Sequence, residues 1–288
     1  MTDQAHTPFS NYLELTKPRL TFTVLFMVLL GFFTGSKNPL DYALLFHVLL
    51  GSALVGGGAN ALNEYLEKDV DARMKRTEGR PLPSGRIGEK SALFFGIALS
   101  TVGTTYLFCF TKPLTGLLGL TTLLGYLLVY TPLKRKTWLN TFAGAVPGAL
   151  PILMGWTACG APLDLRAGVL FLILFLWQLP HFFAIAWLYR EDYRRGGLKM
   201  MTTFDEEGEA TAWQIAIYSL ALFFATLIPA LIGIAGPVYL CAATVAGIFF
   251  TGFAIFMCVT KLHRARKFVM LSILHLLIIA TFMMADKL

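Results

Sequence analysis

Nine stretches of this chain are apolar over lengths of about 17–25 residues, enough to cross a hydrocarbon core. They lie at 20–36, 42–62, 91–110, 114–131, 140–158, 167–188, 212–234, 237–260 and 268–285, and none contains a lysine or arginine. In lipid a backbone satisfies its hydrogen bonds internally only as a helix or a closed barrel. Continuous apolar runs of this length favour the helix. The sequence therefore predicts an all-α, polytopic membrane bundle of nine spans, forming a single domain over 1–288. Composition agrees: 14% of residues are charged, against about a quarter in soluble domains.

Charge is distributed by loop. With the N-terminus inside, twenty of the 24 basic residues fall on inner segments, and only Lys37, Lys112, Arg166 and Lys287 fall outside. This asymmetry predicts a cytoplasmic N-terminus and an outward C-terminus. The net charge of +7 is thus a matter of topology, and no nucleic-acid partner is expected. The tail 1–19, with Asp3 and Glu14, lacks a basic segment leading into a short apolar core, so no removable signal is expected. Cys109, Cys159, Cys241 and Cys258 lack metal-ligand spacing and are expected to be small buried side chains.

Topology does not explain the acids. Twelve of the 17 lie in two inner loops, 63–90 and 189–211, although Asp and Glu contribute little to orientation. In the first loop Asn63, Glu67 and Asp71 are four residues apart. Each such step drifts only ~40° around a helix, so one face carries an amide and two carboxylates over ~12 Å. Arg73, Lys75, Arg76 and Arg80 follow, before Pro81 and Pro83 end the helical run. Carboxylates for a hard cation beside guanidinium groups for phosphate make a diphosphate site. A solvated helix end with mixed charges is the plainer alternative.

The second loop opens with Tyr189, Arg190, Glu191, Asp192, Tyr193, Arg194 and Arg195, again carboxylates beside guanidinium groups. Between the loops, Tyr130 to Thr137 brings Lys134, Arg135 and Lys136. These are candidates for phosphate, or for topology and headgroup contact. The sixth span contains Trp177-Gln178-Leu179-Pro180-His181-Phe182. Gln and His in hydrocarbon normally face the bundle interior, and Pro180 is expected to kink the helix. An aromatic kink with a histidine suits a flat, partly apolar acceptor, although a satisfied interior histidine also fits. His47 and His275 are expected to be of that second kind. Gly56-Gly57-Gly58-Ala59 serves either close helix packing or room for an isoprenoid chain. A transporter is disfavoured because the polar site lies at one face rather than mid-bilayer.

The run N-x-x-x-E-x-x-x-D-x-x-M-x-R-T-x-x-R-P-x-P-S-G, from Asn63 to Gly85, resembles the intramembrane UbiA-type prenyltransferases. Tyr130 to Arg135, the Trp177–Phe182 run and Tyr189-Arg190-Glu191-Asp192-Tyr193 add to it and resemble the haem O synthase (protohaem IX farnesyltransferase) branch. The resemblance implies a UbiA-like bundle with a cavity open to lipid, in a bacterial inner membrane. It implies Mg²⁺-dependent transfer of farnesyl from farnesyl diphosphate to a vinyl group of haem B, with addition of water, giving haem O and diphosphate. Asn63, Glu67, Asp71 and Asp192 would hold the metal. Arg76, Arg80, Lys134, Arg135 and Arg190 would hold the diphosphate. His181 and Trp177 would meet the acceptor. Hand-off to a haem A synthase or a terminal oxidase assembly is implied as well. A quinone-type aromatic acceptor is the alternative within the family. Three departures stand out. Glu67 replaces a more usual Asp, the second D-x-x-x-D of the superfamily is not intact, and the 201–207 loop is unusually polar and acidic.

Overall fold

The computed structural model describes residues 7–37 and 39–288; residues 1–6 of the tail, including Asp3, lie outside the described residues. The helices are α1 (Pro8–Leu15), α2 (Pro18–Gly35), α3 (Tyr42–Asp71), α4 (Glu89–Phe110), α5 (Pro113–Leu124), α6 (Thr131–Leu133), α7 (Asn140–Ala158), α8 (Leu165–Leu188), α9 (Arg190–Gly196), α10 (Glu209–Leu231), α11 (Pro237–Val259) and α12 (Ala265–Ala285). Among the described residues there is no strand, only an isolated bridge between Ala235 and Lys287.

The bundle is apolar outside as well as inside. Phe22, Phe46, Phe94, Val245, Phe249 and Val259 all stand exposed on helix surfaces, a pattern that suits lipid and not water. Among the described residues, eight helical spans are long and apolar enough to cross a membrane, the continuous stretch Pro113–Leu133 counting as one. The expected ninth span at 140–158 is present as α7, but Pro147, Pro151 and several small or polar residues dilute its hydropathy. Most of α7 is buried against neighbouring helices, and a helix that touches protein rather than lipid need not be as apolar as its neighbours.

Two packed halves meet at α2 and α7. One core joins α2, α7, α8, α10, α11 and α12, and the other joins α2 to α5 with α7. Their seam depends on glycine: a Cβ on Gly31 would collide with the Ile152 carbonyl, and one on Gly155 with the Val28 carbonyl. Close packing also accounts for Gly58 of the small-residue run, where a Cβ would lie 2.6 Å from the Ser100 backbone nitrogen on α4. Among the eight strongly apolar spans α4 is the least enclosed and α8 the most. It runs on through Pro180 without a break.

Not every cysteine is buried: Cys109 and Cys241 are exposed on outward helix faces, and all four are free. The apolar outer surface of the bundle accepts such small side chains as readily as its core.

Candidate active site

Helix α3 does not stop at the end of its apolar stretch but continues to Asp71, so Asn63, Glu67 and Asp71 lie on one unbroken helix. All three are nearly fully buried. Buried carboxylates need partners, and these come both from nearby turns and from a segment far away in the chain. Asn63 donates to Glu67 Oε2 at 2.9 Å and to Thr131 Oγ1 at 3.2 Å. Lys134 Nζ donates to the same Glu67 oxygen at 2.8 Å. Arg80 Nη1 pairs with Asp71 Oδ2 at 2.6 Å. Glu67 Oε1 is buried with no partner among the described residues.

Two cations of this network have distinct origins. Lys134 follows a π-helical stretch, Gly125–Tyr130. Pro132 has no N–H to donate to the preceding turn, and the wider turn ahead of it is a form that marks functional sites. Thr131 closes that turn by donating to the Tyr126 carbonyl at 2.9 Å. Burial opposes the charge on Lys134, but Tyr130 and Glu67 outweigh it and hold the amine above the usual lysine range.

In the sequence Lys17 bears only on orientation, and its one further signal is the Lys17-Pro18 pair immediately before a span; the structure brings it to the α3 carboxylate face. It sits between α1 and α2 at φ 47°, a left-handed conformation that costs a non-glycine residue about 1–2 kcal/mol. From there its Nζ donates to Asn63 Oδ1 at 3.0 Å. Burial, with Arg80 adding to it, lowers the Lys17 pKa to about 8. Glu64 was also unassigned. It accepts from the Leu82 backbone N–H at 3.1 Å and so fastens the Pro81–Pro83 turn that positions Arg80.

The inner loops converge on this helix end. Asp192 of α9 accepts from the Lys75 backbone N–H at 3.2 Å and from Arg195 at 3.5 Å. Arg76 lies 4.4 Å from the ring centroid of Tyr189 and donates to the Tyr193 hydroxyl at 3.4 Å. Val70, Met74, Leu198 and Met200 form an apolar plug beneath these contacts. The backbone of Lys199 donates to the Lys134 carbonyl at 2.8 Å, adding the third loop. Asp205 explains part of the acidic stretch: it accepts from Gly208 N, Thr211 N and Thr211 Oγ1, capping the start of α10.

Two candidates stand apart from the α3 carboxylates. Arg135 is exposed and donates to the Leu66 carbonyl at 3.3 Å. Arg190 stacks on Trp187 and faces Glu191. Among the described residues, no three Asp, Glu, His or Cys side chains gather tightly enough to hold a metal ion by themselves. Deeper in α8, Gln178 donates to the Ala145 carbonyl, joining α7 and α8 where Gly148 leaves room for its amide. His181 is buried, stacks on Trp177 and reaches Ser272. His47 bonds to Tyr106, and His275 is buried against Phe250.

Residues 24–283 match the UbiA prenyltransferase family. The chain belongs to that family. It is therefore a prenyltransferase, integral to the membrane and multi-pass. It is 42% identical over 287 residues to the protoheme IX farnesyltransferase of Solibacter usitatus, covering 96% of this chain and 98% of the relative. It is 39% identical to the protein of the same name from Opitutus terrae, covering 100% and 98%. Solved structures agree in fold. A digeranylgeranylglyceryl phosphate synthase superposes with a TM-score of 0.81 at 18% identity, covering 96% of this chain and 98% of that one. A UbiA homologue from Archaeoglobus fulgidus bound to GPP and Mg²⁺ gives 0.70 at 18%, covering 96% and 100%.

Proposed function

We propose that this prenyltransferase transfers farnesyl from farnesyl diphosphate to a vinyl group of haem B. The observation that carries the reading is the Asn63–Glu67–Asp71 face, ringed by Lys17, Arg80 and Lys134. Within it Glu67 turns one buried oxygen, Oε1, to no protein partner. That orphaned oxygen fits Mg²⁺, which keeps several waters and takes one or two carboxylates plus phosphate oxygens. Asn63, Glu67 and Asp71 would hold the metal, with Asp192 completing the acidic lining from the second loop. The ion would supply charge neutralisation of the departing diphosphate.

The chain's own cations do the rest. Lys17, Arg76, Arg80 and Lys134 neutralise the leaving group as the allylic C–O bond breaks. The vinyl carbon attacks farnesyl C1, and water then adds to the resulting cation and releases a proton to solvent, giving the hydroxyethyl farnesyl side chain of haem O. No protein nucleophile is required, so the site must exclude water until the C–C bond has formed.

An apolar groove of about 650 Å³ between α1, α2, α3 and α4 offers such a place. Thr16 and Pro18, which flank Lys17, line it, so a diphosphate at Lys17 has apolar space beside it for its isoprenoid chain. The buried Trp177–His181 pair favours a porphyrin over a quinone-type acceptor, because a neutral imidazole can also meet iron. The charge asymmetry supports a cytoplasmic N-terminus, and the bacterial relatives named above suit a bacterial inner membrane.

The test is direct. Membranes containing the protein, given haem B and farnesyl diphosphate with Mg²⁺, should form haem O detectable by mass. Prenylation of a quinone precursor in place of haem would overturn the acceptor assignment.

A further inference from the structure

On α12, Ser272 lies between Trp177 and His181 of α8, one helical turn apart. Its backbone carbonyl accepts from Trp177 Nε1 at 2.7 Å. Its hydroxyl lies 2.6 Å from His181 Nδ1. The two rings stack with centroids 4.9 Å apart and planes at 19°. Ser272 is itself fully buried, so a single α12 residue holds both aromatic members of the motif.

The hydroxyl geometry favours one tautomer. Ser272 Oγ also lies 2.7 Å from the Val269 carbonyl, and a serine has one hydrogen to donate. Both contacts of this oxygen are satisfied together when it donates to Val269 and accepts from His181. That arrangement puts the proton of the neutral ring on Nδ1 and the lone pair on Nε2. Among the described residues no carboxylate bonds to the imidazole, so a second proton would place an uncompensated charge in the bundle interior. Among the described residues nothing bonds to Nε2, yet it is not sealed. His275 differs, with both ring nitrogens buried and unpartnered. An imidazole whose far N–H is held by an oxygen, with the other nitrogen open, is the arrangement in which histidine ligates a metal.

We propose that Ser272 is a positioning residue that fixes His181 in the Nδ1–H tautomer, so that Nε2 takes the iron of the porphyrin substrate as an axial ligand. This rests on the proposed haem acceptor. Ligation through Nε2 would anchor the macrocycle against α8 and hold one edge in a fixed relation to the donor. Because the anchor spans α8 and α12, acceptor binding would depend on how these two helices pack.

The full-length protein in detergent, titrated with ferrous haem B and read by resonance Raman, tests this. Wild type should show an iron–imidazole stretching band, and His181→Ala should lose it. Ser272→Ala keeps the backbone carbonyl that holds Trp177 and removes only the hydroxyl. It should shift the band and weaken haem binding about tenfold, as loss of a partner behind a metal-bound histidine does. Ser272→Cys preserves volume but accepts poorly, and it should shift the band in the same direction. Farnesyl diphosphate affinity should be unchanged in all three, which shows that they fold. An unshifted band and unchanged haem affinity in Ser272→Ala would overturn the positioning role alone. Retention of the band in His181→Ala would overturn His181 as the iron ligand, and the positioning role with it. A wild-type protein that takes up no haem overturns the acceptor reading, and this inference with it.

Discussion

Lys134 and Asn63 donate to the same oxygen of Glu67, at 2.8 and 2.9 Å. One carboxylate oxygen thus serves the protein, and the other, Oε1, is buried without a partner. An unmet acceptor of this kind costs stability unless a ligand meets it. On the proposed function, a metal-bound diphosphate would meet this oxygen.

Glu67→Gln should therefore fold and lose turnover by on the order of 10²-fold, because it keeps the volume but removes the charge that faces Lys134 and the metal. Mg²⁺ titration of farnesyl transfer checks this: the variant should need more metal. Asp71→Asn should behave similarly, since it also releases Arg80. Wild-type turnover in either well-expressed variant would remove that carboxylate from the metal site.

Donor affinity should depend on Lys17. Its pKa is lowered to about 8, so the amine is charged below that pH and neutral above it. An anionic diphosphate binds the charged form, so farnesyl diphosphate affinity should be stronger near pH ~7 than near pH ~9. Lys17→Arg should flatten this dependence, and Lys17→Met should weaken binding at both pH values. Equilibrium binding at the two pH values decides it.

Packing of α3 on α4 should be sensitive at Gly58, where a Cβ would lie 2.6 Å from the Ser100 backbone nitrogen. Backbone cannot yield as a flexible side chain can. Gly58→Val should lower stability by about 1–3 kcal/mol, read as a lower unfolding temperature in detergent. Gly56→Ala, where the nearest atom is 3.9 Å away, should change little.

Asp205 should matter for stability and not for chemistry. Asp205→Ala removes the acceptor for Thr211 N and Oγ1 and should cost about 1 kcal/mol. Turnover per folded molecule should stay near wild type. A collapse of activity at unchanged stability would move the 201–207 loop into the site.

A C-terminal alkaline phosphatase fusion should be active, because the twenty-to-four split of basic residues predicts an outward Leu288. Activity of a cytoplasmic reporter at the same position would reverse the orientation.

By itself the sequence determined the membrane bundle, the bounds of most helices and the Asn63–Glu67–Asp71 face. These depend on local properties: apolar length, and the return of a helix face every four residues. It also marked Arg80, Lys134 and His181, because polar residues at or within apolar spans stand out. Only the tertiary structure decided which groups meet. Lys17 and Ser272 lie 46 and 91 residues from Asn63 and His181, and no periodicity connects such positions. Arg135 and Arg190 looked equivalent to Lys134 in a list of cations, yet packing turned them to the Leu66 carbonyl and to Trp187. The π-helical stretch before Thr131 and the burial of α7 were hidden for the same reason. Each is set by what neighbouring helices leave room for, and a buried charge or hydroxyl takes its role from the partner that packing brings within hydrogen-bond distance.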